Sequence, residues 1–186
     1  MKRILLVDNY DSFTYNLAYY LEALGCSVAT QFNDTVDLSS LFDFDAIVLS
    51  PGPGLPSEAG LMPEIIKTSL GKIPVFGVCL GMQGMAEFLD AEIYNQSEVK
   101  HGVQEEIGVS QVSLFNGVGE CMEVGLYHSW AVSEDGNFEV IARSKSGKVM
   151  AIQNEVLLCY GVQFHPESIM TPKGRMVLEN FLATIK

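Results

Sequence analysis

The sequence predicts an α/β fold: a mostly parallel central sheet with helices on both faces, plus an additional region of antiparallel strands. Three observations predict it. Short apolar runs such as Ile4-Leu5-Leu6-Val7 and Ala46-Ile47-Val48-Leu49 lack polar alternation, as strands buried on both faces of a parallel sheet do. Segments of helical spacing lie between such runs, the alternation that parallel crossovers require. Beyond Glu92 the pattern changes to short apolar segments divided by Gly, Asn and Asp over residues 98–164, which suggests antiparallel strands and hairpins.

In chain order, residues 4–7 are the first strand. Residues 12–24 carry Phe13, Leu17, Tyr20, Leu21 and Leu24 at helical spacing and stop at Gly25, a residue suited to a helix C-terminus. Residues 28–31 and 46–49 are the next strands, the second running into Ser50-Pro51-Gly52-Pro53-Gly54. Residues 73–78 form a strand followed by a helix over 80–89. Residues 109–115 read as a strand before Asn116-Gly117. The apolar run 159–164 leads into His165, and a helix over 174–185 follows.

A length of 186 residues fits one domain, spanning 1–186, with enough chain to bury a core without disulfide or metal staples. Hydrophobic residues make up 48% and charged residues 18%, against the usual ~25% charged, so disorder is excluded. Eleven Lys and Arg against 23 Asp and Glu leave a net charge of −12. That surplus opposes nucleic acid and anionic membrane as partners, because both demand basic side chains. The four cysteines, at 26, 79, 121 and 159, have no Cys-x-x-Cys spacing, so zinc-ribbon and thioredoxin-like chemistry is not expected and no metal is predicted. The first apolar run ends at Asp8 after four residues, short of the ~7–15 of a secretory signal, and no run approaches the ~18 of a membrane span. The expected setting is the reducing cytoplasm, where the Asn95-Gln96-Ser97 sequon is a chance match.

The richest segment chemically is Phe76-Gly77-Val78-Cys79-Leu80-Gly81-Met82-Gln83-Gly84. Gly-x-Cys-x-Gly between a buried strand and a helix has the form of a nucleophile elbow with Cys in place of Ser. A sharp turn at Cys79 strains the backbone and crowds its neighbours, which glycine at 77 and 81 relieves. The helix that follows favours the thiolate. A cysteine nucleophile needs a base and a group to orient that base. Of the three histidines, His165 stands at a strand end with Glu167 two residues on, whereas His101 and His128 lack such a neighbour. In Ser50-Pro51-Gly52-Pro53-Gly54 only Gly52 and Gly54 retain an N–H near the strand end, on a loop stiffened by proline. The Gly52 amide suits an oxyanion hole, with Leu80 as the second donor. These residues leave several readings open: an ordinary buried cysteine beside turn glycines, a hydrolase of some other amide such as a γ-glutamyl peptide, or a redox sensor. A phosphoacceptor receiver would match residues 4–8, but it leaves the elbow and Gln163-Phe164-His165-Pro166-Glu167-Ser168 without a role.

Gly77-Val78-Cys79-Leu80-Gly81-Met82-Gln83 together with Gln163-Phe164-His165-Pro166-Glu167-Ser168 resembles the class I (triad) glutamine amidotransferases. Val7 to Leu17 and Ser50-Pro51-Gly52-Pro53-Gly54 narrow the resemblance to the glutaminase component (component II) of anthranilate synthase and aminodeoxychorismate synthase. It spans residues 4–182. The resemblance implies a flavodoxin-like core, Cys79 as nucleophile, His165 as base and later acid, and Glu167 as its orienter. It further implies that Gly52, Pro53, Gly54 and Gln83 line a glutamine site, and that Ser129 and Trp130 of Tyr127-His128-Ser129-Trp130 hold substrate through backbone groups. No cofactor is implied; L-glutamine is the implied substrate and a chorismate-binding synthase subunit (component I) the implied partner, met on the side of residues 8–12 and 100–102. Four positions depart from the family pattern: Met82 stands where His is common, Val103 where Lys follows His-Gly, Leu126 where Arg precedes Tyr-His-Ser, and Trp130 where Leu is usual.

Overall fold

In a computed structural model describing residues 1–185, apart from the side chains of Ser97 and Glu98, the run at 4–7 becomes strand β1 (Arg3–Asp8). Ser97 of the sequon therefore lies outside the described side chains. Every side chain from Ile4 to Val7 is fully buried. Ile4 and Leu6 enter one core with Leu17 and Leu21 of helix α1 (Thr14–Ala23) and Phe181 of the C-terminal helix. Leu5 and Val7 enter another. A strand apolar on both faces is thus coated on both, because successive side chains point to opposite sides of the sheet.

Strand β1 pairs in parallel with β2 (Ser27–Phe32) on one side and with β3 (Ala46–Leu49) on the other. Strand β4 (Val75–Val78) adds parallel to β3. The second core is closed by α2 (Met62–Ser69), through Met62, Ile65 and Ile66, and by α3 (Leu80–Phe88), through Leu80 and Met85. Helix α2 is an element the sequence reading left out, although Met62, Ile65 and Ile66 carry helical spacing and Pro63 sits in its first turn.

The chain then builds the antiparallel region from β5 (Ile93–Val109), β6 (Cys121–Val132), β7 (Glu139–Ser144) and β8 (Val149–Asn154), and returns as β9 (Cys159–Val162) beside β4. The single nine-stranded sheet has the order β2-β1-β3-β4-β9-β8-β7-β5-β6. Its parallel part, β2-β1-β3-β4-β9, has the flavodoxin-like order, with the switch point between β1 and β3. Helix α4 (Gly174–Thr184) covers the first core.

The strand expected over residues 109–115 is a correction. Pairing of β5 stops at Val109, and Ser113–Phe115 forms one 3-10 turn. Leu114 and Phe115 still bury their side chains, but the backbone is satisfied by α4: the Asn180 amide donates to the carbonyls of Leu114 and Asn116 at 3.0 and 2.9 Å. Apolar content signalled burial there, and the helix side chain removed the need for a ladder. Among the described residues no helix is long and apolar enough to cross a membrane, and no group of three or more His, Cys, Asp or Glu could hold a metal ion.

Candidate active site

Cys79 sits between β4 and α3 with φ 52° and ψ −103°, a conformation L residues adopt only under constraint. Its N–H donates to the Val162 carbonyl of β9 at 2.8 Å. The flanking glycines are required by contact. A Cβ on Gly77 would lie 2.5 Å from the backbone of Gly81 and Met82, and one on Gly81 would lie 2.6 Å from the Leu49 backbone of β3. Turn, helix and strand are therefore in direct backbone contact, and the thiol is left at the end of the sheet.

Register brings the histidine there. Val78 pairs with Val162, so β4 and β9 end level with one another: Cys79 follows the one into α3 and His165 comes three residues after the other, at the same end of the sheet. Its N–H donates to the Gly125 carbonyl of β6 at 3.1 Å, and its carbonyl accepts from the Thr171 hydroxyl at 2.6 Å. A Cβ on Gly174 would lie 2.0 Å from the Pro166 carbonyl oxygen, so α4 abuts this turn and only glycine fits. The ring Nδ1 lies 2.6 Å from Glu167 Oε1, with both side chains almost fully buried. A carboxylate can only accept, so Nδ1 carries the proton and Nε2 is left for the sulfur side. The edges of Phe13 and Tyr127 pack on the imidazole, at centroid distances of 5.7 and 4.8 Å.

Burial opposes charge on His165, but the neighbouring Cys79 and Glu167, through hydrogen bonding and charge, outweigh it and push its pKa up to about 10. Nε2 makes no hydrogen bond of ordinary geometry; the sulfur acts on it as a weak, longer-range acceptor. His128 behaves oppositely. Burial pushes its pKa down to about 4 despite its bond to the Trp130 carbonyl, and the charges of His165, Lys148 and Lys100 add to the fall. It is neutral near pH 7. Burial also pushes Cys159 up to about 12, so it remains an inert thiol in the core.

A cavity of about 170 Å³ opens onto Cys79 and is lined by Gly52, Pro53, Gly54, Gln83, Tyr127, His128, Ser129 and Trp130. It falls below the ~300–1,000 Å³ of drug-sized pockets, in the range of a single amino acid. Six of the predicted glutamine-site residues thus meet the predicted nucleophile in one cavity. Leu80 does not line it. Its side chain is buried against Gly52, and only its backbone N–H, at the start of α3, can face a ligand. His165 and Glu167 do not line it either; Glu167 lines an adjacent cavity with Phe13, Tyr127, Ser168 and Ile169.

The departures at Met82 and Trp130 leave this arrangement intact. Met82 is fully buried and packs over Gly161 of β9, filling core between the sheet's two halves. Trp130 contributes its carbonyl, which accepts from Gln83 Nε2 at 3.1 Å, and a backbone group does not depend on side-chain identity.

Gln163 received no role from the sequence. It is fully buried; its Nε2 donates to Cys79 Sγ at 3.5 Å, and its Oε1 accepts from Gln83 at 3.1 Å. Gln163 lies just past the end of β9, where the chain bends, and nothing local in the sequence signals its contact with the sulfur. Asn9 was also passed over. Its backbone N–H donates to the Ser50 hydroxyl and its side chain to the Ser50 carbonyl, both at 2.8 Å. Nothing local in the sequence signals that pair, which joins the ends of β1 and β3.

The family model for class-I glutamine amidotransferases matches residues 5–185. The chain is 40% identical over 188 residues to aminodeoxychorismate/anthranilate synthase component 2 of Bacillus subtilis (strain 168), covering 98% of this chain and 97% of that one. It is 43% identical over 185 residues to anthranilate synthase component 2 of Helicobacter pylori (strain ATCC 700392 / 26695), covering 95% and 94%. The crystal structure of a candidate GMP synthase subunit from Thermoplasma acidophilum superposes with a TM-score of 0.87 at 26% identity, covering 100% and 94%.

Proposed function

The chain belongs to the class-I glutamine amidotransferase family, and on that premise we propose that it is the glutaminase component of a chorismate-using synthase. Cys79, His165 and Glu167 carry the hydrolysis of L-glutamine, and one domain, residues 1–186, contains the whole site. The observation that carries this reading is the strained Cys79 turn set beside the buried His165–Glu167 pair, all at one end of the sheet and next to a cavity sized for an amino acid.

The steps follow from charge and geometry. Cys79 Sγ attacks the side-chain amide carbon of glutamine, and the amides of Gly52 and Leu80 take the charge that develops on oxygen. The proton held by His165 goes to the departing nitrogen, which leaves as ammonia with the C–N electron pair and gives a glutamyl thioester. Water then attacks the thioester while His165 Nε2 takes its proton, and glutamate leaves as the sulfur recovers its electrons. Glu167 keeps Nδ1 protonated throughout and stabilises the imidazolium. Gln83 and the backbone of Ser129 and Trp130 position the substrate.

Ammonia released into neutral water becomes ammonium, which is not nucleophilic. The product is therefore passed directly to a chorismate-binding component I, a partner that the names of the Bacillus and Helicobacter relatives support for this chain. The amination product is anthranilate or 4-amino-4-deoxychorismate. The test is glutamine-dependent release of glutamate, with and without the synthase component. Release that disappears in Cys79→Ser and His165→Ala supports the reading; no glutamate and no thioester under either condition sinks it. Identification of the aromatic product formed from chorismate decides the pathway.

A further inference from the structure

Asn33, Asn9, Ser50 and the Pro51 carbonyl form a buried run of hydrogen bonds outside the catalytic residues. Asn33 Nδ2 donates to Asn9 Oδ1 at 3.1 Å, and Asn9 Nδ2 donates to the Ser50 carbonyl at 2.8 Å. The Asn9 N–H donates to Ser50 Oγ at 2.8 Å, and that hydroxyl donates in turn to the Pro51 carbonyl at 2.6 Å. Asn33 is itself held at both backbone groups: its N–H donates to the Asp8 carbonyl, and its carbonyl accepts from the Leu61 N–H. Asn9, Asn33 and Ser50 are all buried.

The last bond in this run decides an orientation. The chain has no cis peptide among the described residues, and in a trans peptide the C=O and the next N–H point in opposite directions. Holding the Pro51 carbonyl against the Ser50 hydroxyl therefore aims the Gly52 N–H away from it. Position is set as well as direction. A Cβ on Gly52 would lie 2.7 Å from Asn9 Cβ, from the Asn9 carbonyl oxygen and from Leu80 Cδ2, so Gly52 is seated directly between Asn9 and the first residue of α3. The site is the β1/β3 switch point, and a buried hydrogen-bond network rigidifies the place it occupies.

We propose that Asn33, Asn9 and Ser50 are positioning residues, a clamp that fixes the Pro51–Gly52 peptide so that the Gly52 N–H meets the oxyanion of the reaction at Cys79. The inference rests on the acyl-transfer reading above and adds three residues to it. None of the three touches substrate; they act through the peptide they hold.

The clamp separates two reactions of the same sulfur. Glutamine hydrolysis passes through a tetrahedral oxyanion and needs the Gly52 donor. Alkylation of Cys79 by iodoacetamide is a displacement at a saturated carbon and needs no oxyanion hole. Asn9→Ala and Ser50→Ala are compared with the parent chain, alone and with the synthase component, for glutamine turnover and for the alkylation rate. The expected result is a fall in kcat of about 10- to 100-fold, the scale of a donor misplaced but not removed, with KM within about threefold of the parent and alkylation unchanged. Ser50→Thr, which keeps the hydroxyl, is expected to retain most of the turnover.

Unchanged turnover in both alanine variants overturns the clamp. So does an equal loss of turnover and alkylation, which is the signature of general damage to the elbow. Should either alanine variant fail to fold, Asn33→Ala, which removes only the outermost donor, takes its place with an expected loss of about 3- to 10-fold in kcat; no loss overturns the proposal. A parent chain that hydrolyses no glutamine in either state overturns the acyl-transfer reading itself, whereas an active parent with unmoved variants overturns the clamp alone.

Discussion

Cys79 holds a backbone conformation that costs about 1–3 kcal/mol in a non-glycine residue, and it is kept there by the Val162 carbonyl and by backbone packing at Gly77 and Gly81. The strain aims one sulfur at one histidine. Replacing Glu167 by Gln removes the charge that helps hold the His165 proton, so the ring's pKa should fall from about 10 toward 6.5, and glutamine hydrolysis should fall by about 100-fold or more. An NMR titration of the ring, set beside the kinetics, checks both. His128 makes a prediction of opposite sign. Its folded pKa, about 4, lies below the ordinary 6.5, so between these values the unfolded chain binds a proton that the folded chain refuses. Stability therefore falls as pH drops from about 6.5 to 4. In His128→Gln that part of the slope should vanish, measured as the difference between parent and variant melting temperatures across the window. Gln163→Leu removes the amide that donates to Cys79 Sγ and leaves Gln83 short of an acceptor. Slower alkylation of Cys79 together with a lower kcat is expected, and an unchanged alkylation rate would remove Gln163 from the site.

At the level of elements, the elbow is a junction of β3, β4 and α3 with no space for a methyl group. Gly77→Ala and Gly81→Ala each force the new methyl group against backbone, because the contacts at 2.5–2.6 Å include main-chain atoms of Gly81, Met82 and Leu49 beside Met85 Cε and Leu49 Cβ. Each should destabilise the fold by about 1–3 kcal/mol, a fall of ~2–10 °C in melting temperature for a chain of this length, and should slow Cys79 alkylation as α3 shifts. Strands and helices with a strong period were legible from residues alone: the run at 4–7, the helical spacing ending at Gly25, and the strand-to-helix step at Cys79. Helix α2 was missed because its eight residues follow directly on residues 51–60, a run rich in Pro and Gly that reads as loop, and the apolar spacing of Met62, Ile65 and Ile66 is too short to stand out from it. The segment after Val109 was read as strand because Leu114 and Phe115 are apolar, a property that reports burial and not hydrogen bonding. Its carbonyls are answered by Asn180 of α4, 64 to 66 residues along the chain, and no local window contains that partner.

On the scale of the whole molecule, nine strands form one sheet, and β9 returns from the antiparallel region to lie beside β4. That return unites the proposed nucleophile, Cys79 in the first half of the chain, with the proposed base, His165 in the last fifth. On the proposed function, the net charge of −12 suits a subunit that hands over neutral ammonia and leaves the chorismate dianion to its partner. Direct transfer predicts that amide-15N from glutamine reaches the aromatic product of the reconstituted complex even in excess unlabelled ammonium; dilution of the label to the solution ratio would show that ammonia escapes. The sequence by itself determined the fold class and singled out Cys79, His165, Glu167 and the glycines around them as the residues the proposal rests on, because a nucleophile elbow and a strand-end histidine are local patterns whose residue types are dictated by local geometry. Only the tertiary structure decided that Gln163 touches the sulfur and that Asn9 and Ser50 bind the ends of two strands. Those contacts join residues 41 to 84 positions apart, and they arise from strand order and register, which no single segment specifies.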